Sequence, residues 1–170
     1  MKSAEINKFR KNYTPYTKPC VYDGLKLAVL FDEKDWAKKF GARWDANEGC
    51  WWLPGHTLRT HPSGDEDVVY GELNKRKMIV GGYGNLDEES AKMWMLDATS
   101  KGEGATEVYR LQKGVNWALI QYWSQIEALR IEEHKHPHGT DKIYSLDDGR
   151  AKWDEFISKG YNREFEKVSI

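Results

Sequence analysis

Residues 27 to 54, LAVLFDEKDWAKKFGARWDANEGCWWLP, constrain the fold more than any other part of the chain. Leu27, Val29 and Phe31 alternate with Ala28 and Leu30, a short apolar run that suits a strand. Asp32 or Asp35 can cap a following helix that carries Trp36, Ala37 and Phe40 on one side, and Gly41 can end it with a positive φ. Arg43-Trp44-Asp45 and Cys50-Trp51-Trp52-Leu53 then pair as a hairpin across a loop holding Asn47 and Gly49, and Pro54 stops the second strand. In such a hairpin Arg43 and Asp45 share one face and Trp44 takes the other, where it is expected as a core anchor. Trp51 and Trp52 are adjacent, so they too must point to opposite faces.

The stretch resembles a small domain of undefined function that recurs in bacterial, plasmid and phage proteins. The resemblance rests on Glu33-Lys34 before the helix, on Gly41-Ala42-Arg43-Trp44-Asp45 after it, and on Trp51-Trp52-Leu53-Pro54 about six residues later. Leu30 and Gly49 depart from the pattern, standing where the family usually has proline and a charged or polar residue. Domains of this type are often appended to primase-like, nuclease-like or topoisomerase-like partners. The resemblance therefore implies a fold and a nucleic-acid-processing setting, and no particular chemistry.

The charge balance narrows the partners. Net charge is only −1, which gives no global electrostatic case for nucleic acid. Residues 1 to 64, however, hold 11 Lys/Arg against 7 Asp/Glu, a net of +4, while the remainder nets −5. That asymmetry fits a basic face beside an acidic one. Cys20 and Cys50 do not make a disulfide framework, no signal peptide is visible, and no apolar run approaches the length needed to span a bilayer. A cytoplasmic location, in a bacterial or phage-infected cell, is the resulting expectation.

Four segments are expected: an arm over 1–24, a strand–helix–hairpin domain over 25–82, a helical region over 85–160 and a tail over 161–170. The arm interleaves Lys8, Arg10, Lys11 and Lys18 with Phe9, Tyr13, Tyr16 and Tyr22, and Pro15 and Pro19 argue against a helix through its middle. Cations beside rings suit a single strand, in which phosphates meet the charges and bases stack on the rings. The plainer alternative is an extended arm that packs its rings on its own domain. Residues 55–67 read as loop. Val68-Val69-Tyr70 and Lys77-Met78-Ile79-Val80 read as strands, and Gly81-Gly82-Tyr83-Gly84-Asn85 as a connector. The spacing of those glycines matches neither a dinucleotide fingerprint nor a P-loop.

Beyond the connector, Asn85 or Asp87 starts a helix of about 13 residues with Met93, Trp94 and Ala98 on its apolar side. Val108, Tyr109 and Leu111 suggest a short extended piece. Val115, Leu119, Tyr122, Ile126 and Leu129 fall at alternating four- and three-residue steps, and Trp117, Ile120 and Trp123 add a second stripe, which predicts a long helix over 114–133. Ser145-Leu-Asp-Asp148 opens another helix, carrying Leu146, Trp153, Phe156 and Ile157 inside and ending at Gly160; Arg163 to Ile170 read as a frayed tail. The overall expectation is an α+β protein: a small N-terminal strand–helix–hairpin sheet unit followed by a mainly helical region.

Candidate chemistry is sparse. His134, His136 and His138 invite a metal, yet Pro137 breaks any helix and alternate histidines converge only from an extended strand. Cys20, Cys50, His56 and His61 lack the close Cys pair of a zinc knuckle, and Cys50 with His56 lacks a third, orienting group. The acidic runs at 65–67, 87–89 and 147–148 occupy a loop and helix first turns, where acids are common. No cofactor and no catalytic residue follows. The stronger candidate is an aromatic and basic surface: Lys8, Phe9, Arg10, Lys11, Tyr13 and Tyr16 of the arm, with Lys38, Lys39, Arg43, Trp51 and Trp52 of the domain. The expected function is that of a non-enzymatic phage- or plasmid-type accessory protein that contacts nucleic acid, or a nucleic-acid-processing complex, through its N-terminal domain. The rival is an interaction or structural component, a virion part or an inhibitor of a host protein, with Trp117, Ile120 and Trp123 on the 114–133 helix as its oligomer or partner interface.

Overall fold

Leucines at 25, 27 and 53 organise the first half of the chain. In the computed structural model, which describes residues 1–163 and the backbone of 168–169, all three are at most 2% exposed. They lie on β1 (Tyr22–Leu27) and β3 (Cys50–Pro54), paired antiparallel with Leu25 opposite Leu53. The short β2 (Arg43–Asp45) flanks β3, and β4 (Ile79–Leu86) lies on the far side of β1, giving the order β2-β3-β1-β4. Helices α1 (Ser3–Lys11), α2 (Lys34–Phe40), α3 (Gly55–Arg59) and α4 (Glu66–Lys75) complete this unit, which spans Met1–Asn85. One core joins the leucines to Ala37 of α2, Leu58 of α3 and Val69 and Leu73 of α4. The helices of the core thus cover one face of the sheet.

The expected helix and hairpin are present, and Gly41 ends α2 with φ 104°. The strand expected from Leu27 instead ends there, and residues 31–33 form a 3₁₀ turn in which Glu33 accepts from the Leu30 amide at 2.9 Å. Val68-Val69-Tyr70 is helix, because Asp65 caps α4 at the Val68 amide (3.1 Å) and only Val69 of the three is buried. The glycines expected as a connector lie within β4. Trp44 is the clearest reversal: it is 54% exposed and meets only the edge of the core, its ring 5.6 Å from that of Trp51.

The arm is ordered by its aromatic and cationic side chains. Ile6 of α1 is buried, and Arg10 binds both Glu33 (2.7 Å) and the Ala28 carbonyl (2.9 Å). The Tyr13 hydroxyl donates to Asn74 (2.6 Å) and accepts from the Ile79 amide (3.2 Å), while Tyr16 stacks on Tyr70. The rings thus pack within the arm's own unit, as in the plainer expectation, but Ser3–Lys11 is helix rather than extended chain.

The second unit, Leu86–Ile170, overturns the fold class expected for it. Residues 114–133 are not a helix. They form most of two strands of an antiparallel meander: β5 (Glu107–Lys113), β6 (Asn116–Trp123), β7 (Ala128–Lys135) and β8 (His138–Ser145). Helix α5 (Glu88–Ser100), capped by Asp87 as expected, precedes the sheet, and α6 (Leu146–Ser158), capped by Ser145, follows it. The two-residue β9 (Asn162–Arg163) and β10 (Val168–Ser169) both pair with β5, in the segment expected as tail; residues 164–167 and 170 lie outside the described residues.

The register explains the misreading. Ile120 faces Ile131 and packs with Leu111, Ala118, Phe156 and Tyr161 under α6. Trp123, of opposite parity, meets Trp94 of α5 edge-on at 6.1 Å. Both faces of β6 therefore carry apolar residues, and the alternation that marks a half-buried strand disappears. Ile120 and Trp123 are 2% and 3% exposed, so neither forms the expected interface.

Burial sets one expected outcome. Trp44→Ala costs less than about 1 kcal/mol, whereas Leu53→Ala costs about 2–5 kcal/mol, the range for truncating a fully buried leucine. Urea melts of the two variants check this, and equal losses would refute the exposure of Trp44 at the edge of the sheet.

A second outcome concerns acid. The Arg130 guanidinium, bound to Asp141 through Nε at 3.0 Å, holds that carboxyl below its ordinary value. A carboxyl depressed in the folded state stabilises above its unfolded pKa of about 4, and that contribution is lost as pH falls through the folded value. Wild type should therefore melt above Asp141→Asn at neutral pH, with the gap closing below about pH 4. A gap independent of pH would exclude the ion pair as its source.

Candidate nucleic-acid interface

The register that buries the leucines also fixes what faces the other way. Lys26 stands opposite Trp52, and Trp52 opposite Arg43, so the three form one row across β1, β3 and β2. Side chains alternate along each strand, so this row lies on the face away from Leu25, Leu27 and Leu53. Trp52 and Lys26 are half-buried and Arg43 is exposed.

Tyr83 of β4 completes the surface. Its ring packs on Trp52 with centroids 4.9 Å apart and planes 31° from parallel, and its hydroxyl donates to the Asp45 carboxylate. The other oxygen of Asp45 accepts from the Asn47 (2.9 Å) and Glu48 (3.2 Å) amides, which ties the hairpin tip to the same side chain. Close approach depends on Gly24. A Cβ there would stand 2.2 Å from the Leu53 carbonyl oxygen and 3.0 Å from the Trp52 ring. Gly82 plays the same part beneath Tyr22, whose ring would meet an added Cβ at 2.5 Å. The result is a preformed surface of stacked rings with a cation on each side of Trp52.

The structure sorts the expected site residues. Arg43 and Trp52 are brought together. Trp51 faces the core with the leucines, and Lys38 and Lys39 are exposed on α2, the helix that packs against that same covered face. Lys8 and Lys11 are exposed on α1, whereas Phe9 lies edge-on to Tyr13 (5.5 Å) and Arg10, Tyr13 and Tyr16 have the internal partners described above. The sequence reading missed Lys26 and Tyr83. Lys26 was detectable as the polar residue between Leu25 and Leu27, had the strand been started five residues earlier. Tyr83 carried no comparable signal among its glycines.

The other candidates are dispersed. His134 stacks on Trp117 (4.5 Å, 19°), beneath which Arg110 places its guanidinium 5.3 Å from the indole. His136 and His138 sit at the β7–β8 turn, and among the described residues no group of three His, Cys, Asp or Glu side chains is placed to hold a metal. His61 uses both ring nitrogens, Nε2 on the Phe40 carbonyl (2.7 Å) and Nδ1 accepting from the Ser63 amide (3.1 Å). Burial pushes the thiols of Cys20 and Cys50 up, the direction opposite to that of an activated nucleophile. Asp65, Asp87 and Ser145 cap helices whose first turns hold the remaining acids. Among the described residues no helix is long and apolar enough to cross a membrane.

The model of a protein family described as a domain of unknown function (DUF5710) matches residues 25–63. The matched segment contains α2, the β2–β3 hairpin and α3, and stops short of α4 and β4. No curated protein and no solved structure matches the chain. Arg43, Trp52 and Lys26 thus lie within the matched segment, and Tyr83 is contributed from outside it.

Proposed function

We propose that the N-terminal unit binds single-stranded nucleic acid on the open face of its sheet. A base stacks on the Trp52–Tyr83 pair, and Lys26 and Arg43 take the flanking phosphates. The observation that carries this reading is the Lys26–Trp52–Arg43 row, which sets an accessible indole between two cations. Stacking is sequence-tolerant because every base has a π face, so the contact is of the non-specific kind. The resemblance of this stretch to domains often appended to primase-like, nuclease-like or topoisomerase-like partners supports the same reading. We place the protein, accordingly, as a cytoplasmic accessory component of phage or plasmid type that performs no chemistry of its own.

Binding of a labelled oligonucleotide, followed against salt, tests the proposal. Trp52→Ala should lose about 1–3 kcal/mol, the range for one base–aromatic stack. Arg43→Ala, an exposed change, should reduce the slope of log K against log salt by about 0.7, one single-strand phosphate contact. Lys38→Ala on the covered face should do neither. Absence of binding at low salt, or equal effects of Arg43→Ala and Lys38→Ala, would defeat the proposal.

A further inference from the structure

The second unit holds a cleft of about 420 Å³ between its sheet and α6, unconnected with the proposal above. Its floor is Ile120, and its walls are Tyr109 and Tyr122 of the sheet and Trp153 of α6. Trp153 meets Tyr109 edge-on, with ring centres 5.7 Å apart. Three aromatic side chains around an apolar floor offer faces and edges to a flat ring, and the volume is within the usual range for small-molecule sites, roughly 300–1,000 Å³.

The rim decides the charge of the occupant. Arg150 and Arg163 stand at it, with Glu107 as the opposing acid. An aromatic-walled site with one carboxylate would otherwise suit an organic cation. Here the guanidinium of Arg163 already lies 4.9 Å from the centre of the Tyr109 ring. Glu107 accepts the Tyr109 hydroxyl, so its carboxylate is engaged within the wall. Among the described residues two guanidiniums stand against one carboxylate, a net positive balance that disfavours a cation and favours an anion. Arginine also presents paired donors whose geometry matches carboxylate and phosphate oxygens.

We infer that the cleft binds a small planar aromatic ring carrying one anionic group, with the ring among Tyr109, Tyr122 and Trp153 and the anion at Arg150 and Arg163. A mononucleotide and a simple aromatic carboxylate share this chemistry, and the two are separable by titration.

Isothermal titration of the full chain supplies the test, with adenosine monophosphate, benzoate, adenosine, inorganic phosphate and choline as probes. Adenosine monophosphate or benzoate should bind with a dissociation constant of about 1 mM or tighter. Adenosine and phosphate, each lacking one half of the recognised chemistry, should bind at least about tenfold more weakly, as should choline. The stronger of the two anionic probes identifies the class. Arg150→Glu, an exposed change that leaves the walls intact, should weaken that probe about tenfold or more. Trp52→Ala, in the other unit, should leave it unaltered. Failure of both anionic probes to bind, phosphate alone binding as well as the nucleotide, preferential binding of choline, no effect of Arg150→Glu, or loss of binding in Trp52→Ala would each overturn the assignment.

Discussion

The pairing of Leu25 with Leu53 is the constraint on which the N-terminal unit depends. A strand repeats every two residues, so a slip of one place would carry the buried leucines to the solvent side and bring Lys26 and Trp52 inward. Burying the Lys26 ammonium without a partner would be far more costly than losing one leucine contact, so the register is strongly fixed. Gly24 adds a steric condition to the energetic one. Its neighbour across the ladder comes so close that no other residue fits without moving the Leu53 carbonyl. The same pairing therefore builds the core on one face and the ring-and-cation surface on the other.

The second unit shows how a sheet can resemble a helix in sequence. A strand covered on one side alternates apolar and polar residues, but β6 has Ala118 and Ile120 beneath α6 and Trp123 against Trp94 of α5. Apolar residues of both parities then fall at three- and four-residue steps by coincidence, and the helical template scores well. The turns gave little warning. Between β6 and β7 the chain runs Ser124-Gln125-Ile126-Glu127, without glycine, proline or asparagine, and Glu127 itself takes a φ of 55°. Gly114, with φ 60°, does mark the β5–β6 turn, but it stood at the edge of a segment whose length favoured a helix. The elements that were legible were those with their own end signals: α5 and α6 with side-chain caps, and α2 with Gly41.

Legibility of the candidate site follows the same division. Arg43 and Trp52 were visible because a short hairpin fixes its faces locally. Which face the helices cover is set by residues far along the chain, Val69 and Leu73 among them, and local pattern could not assign it. Hence Trp51, Lys38 and Lys39 went to the covered side, while Trp44, paired with Trp51 on that same side, is left exposed on the edge strand β2. In the arm, composition suggested exposed rings, whereas Tyr13 and Tyr16 each found partners some sixty residues away at Asn74 and Tyr70. Aromatic residues beside lysines describe a possible surface equally well whether the rings stack on bases or on one another.

The charge distribution sets how strong such a contact can be. The +4 of the first 64 residues overstates the charge of the proposed face, because Lys38 and Lys39 lie on the helix-covered side and Lys8 and Lys11 on α1. Two cations flank Trp52, and each phosphate contact on a single strand contributes a salt slope of only about 0.7. One stacked base and two phosphates make a weak, readily reversed complex at cellular ionic strength, where charges more than about 8 Å apart are largely screened. On the proposed reading, the sheet face would therefore serve best as one contact among several, gaining useful affinity when another binding element holds the strand at high effective concentration. A surface of this size is suited to guiding a strand that a partner already holds.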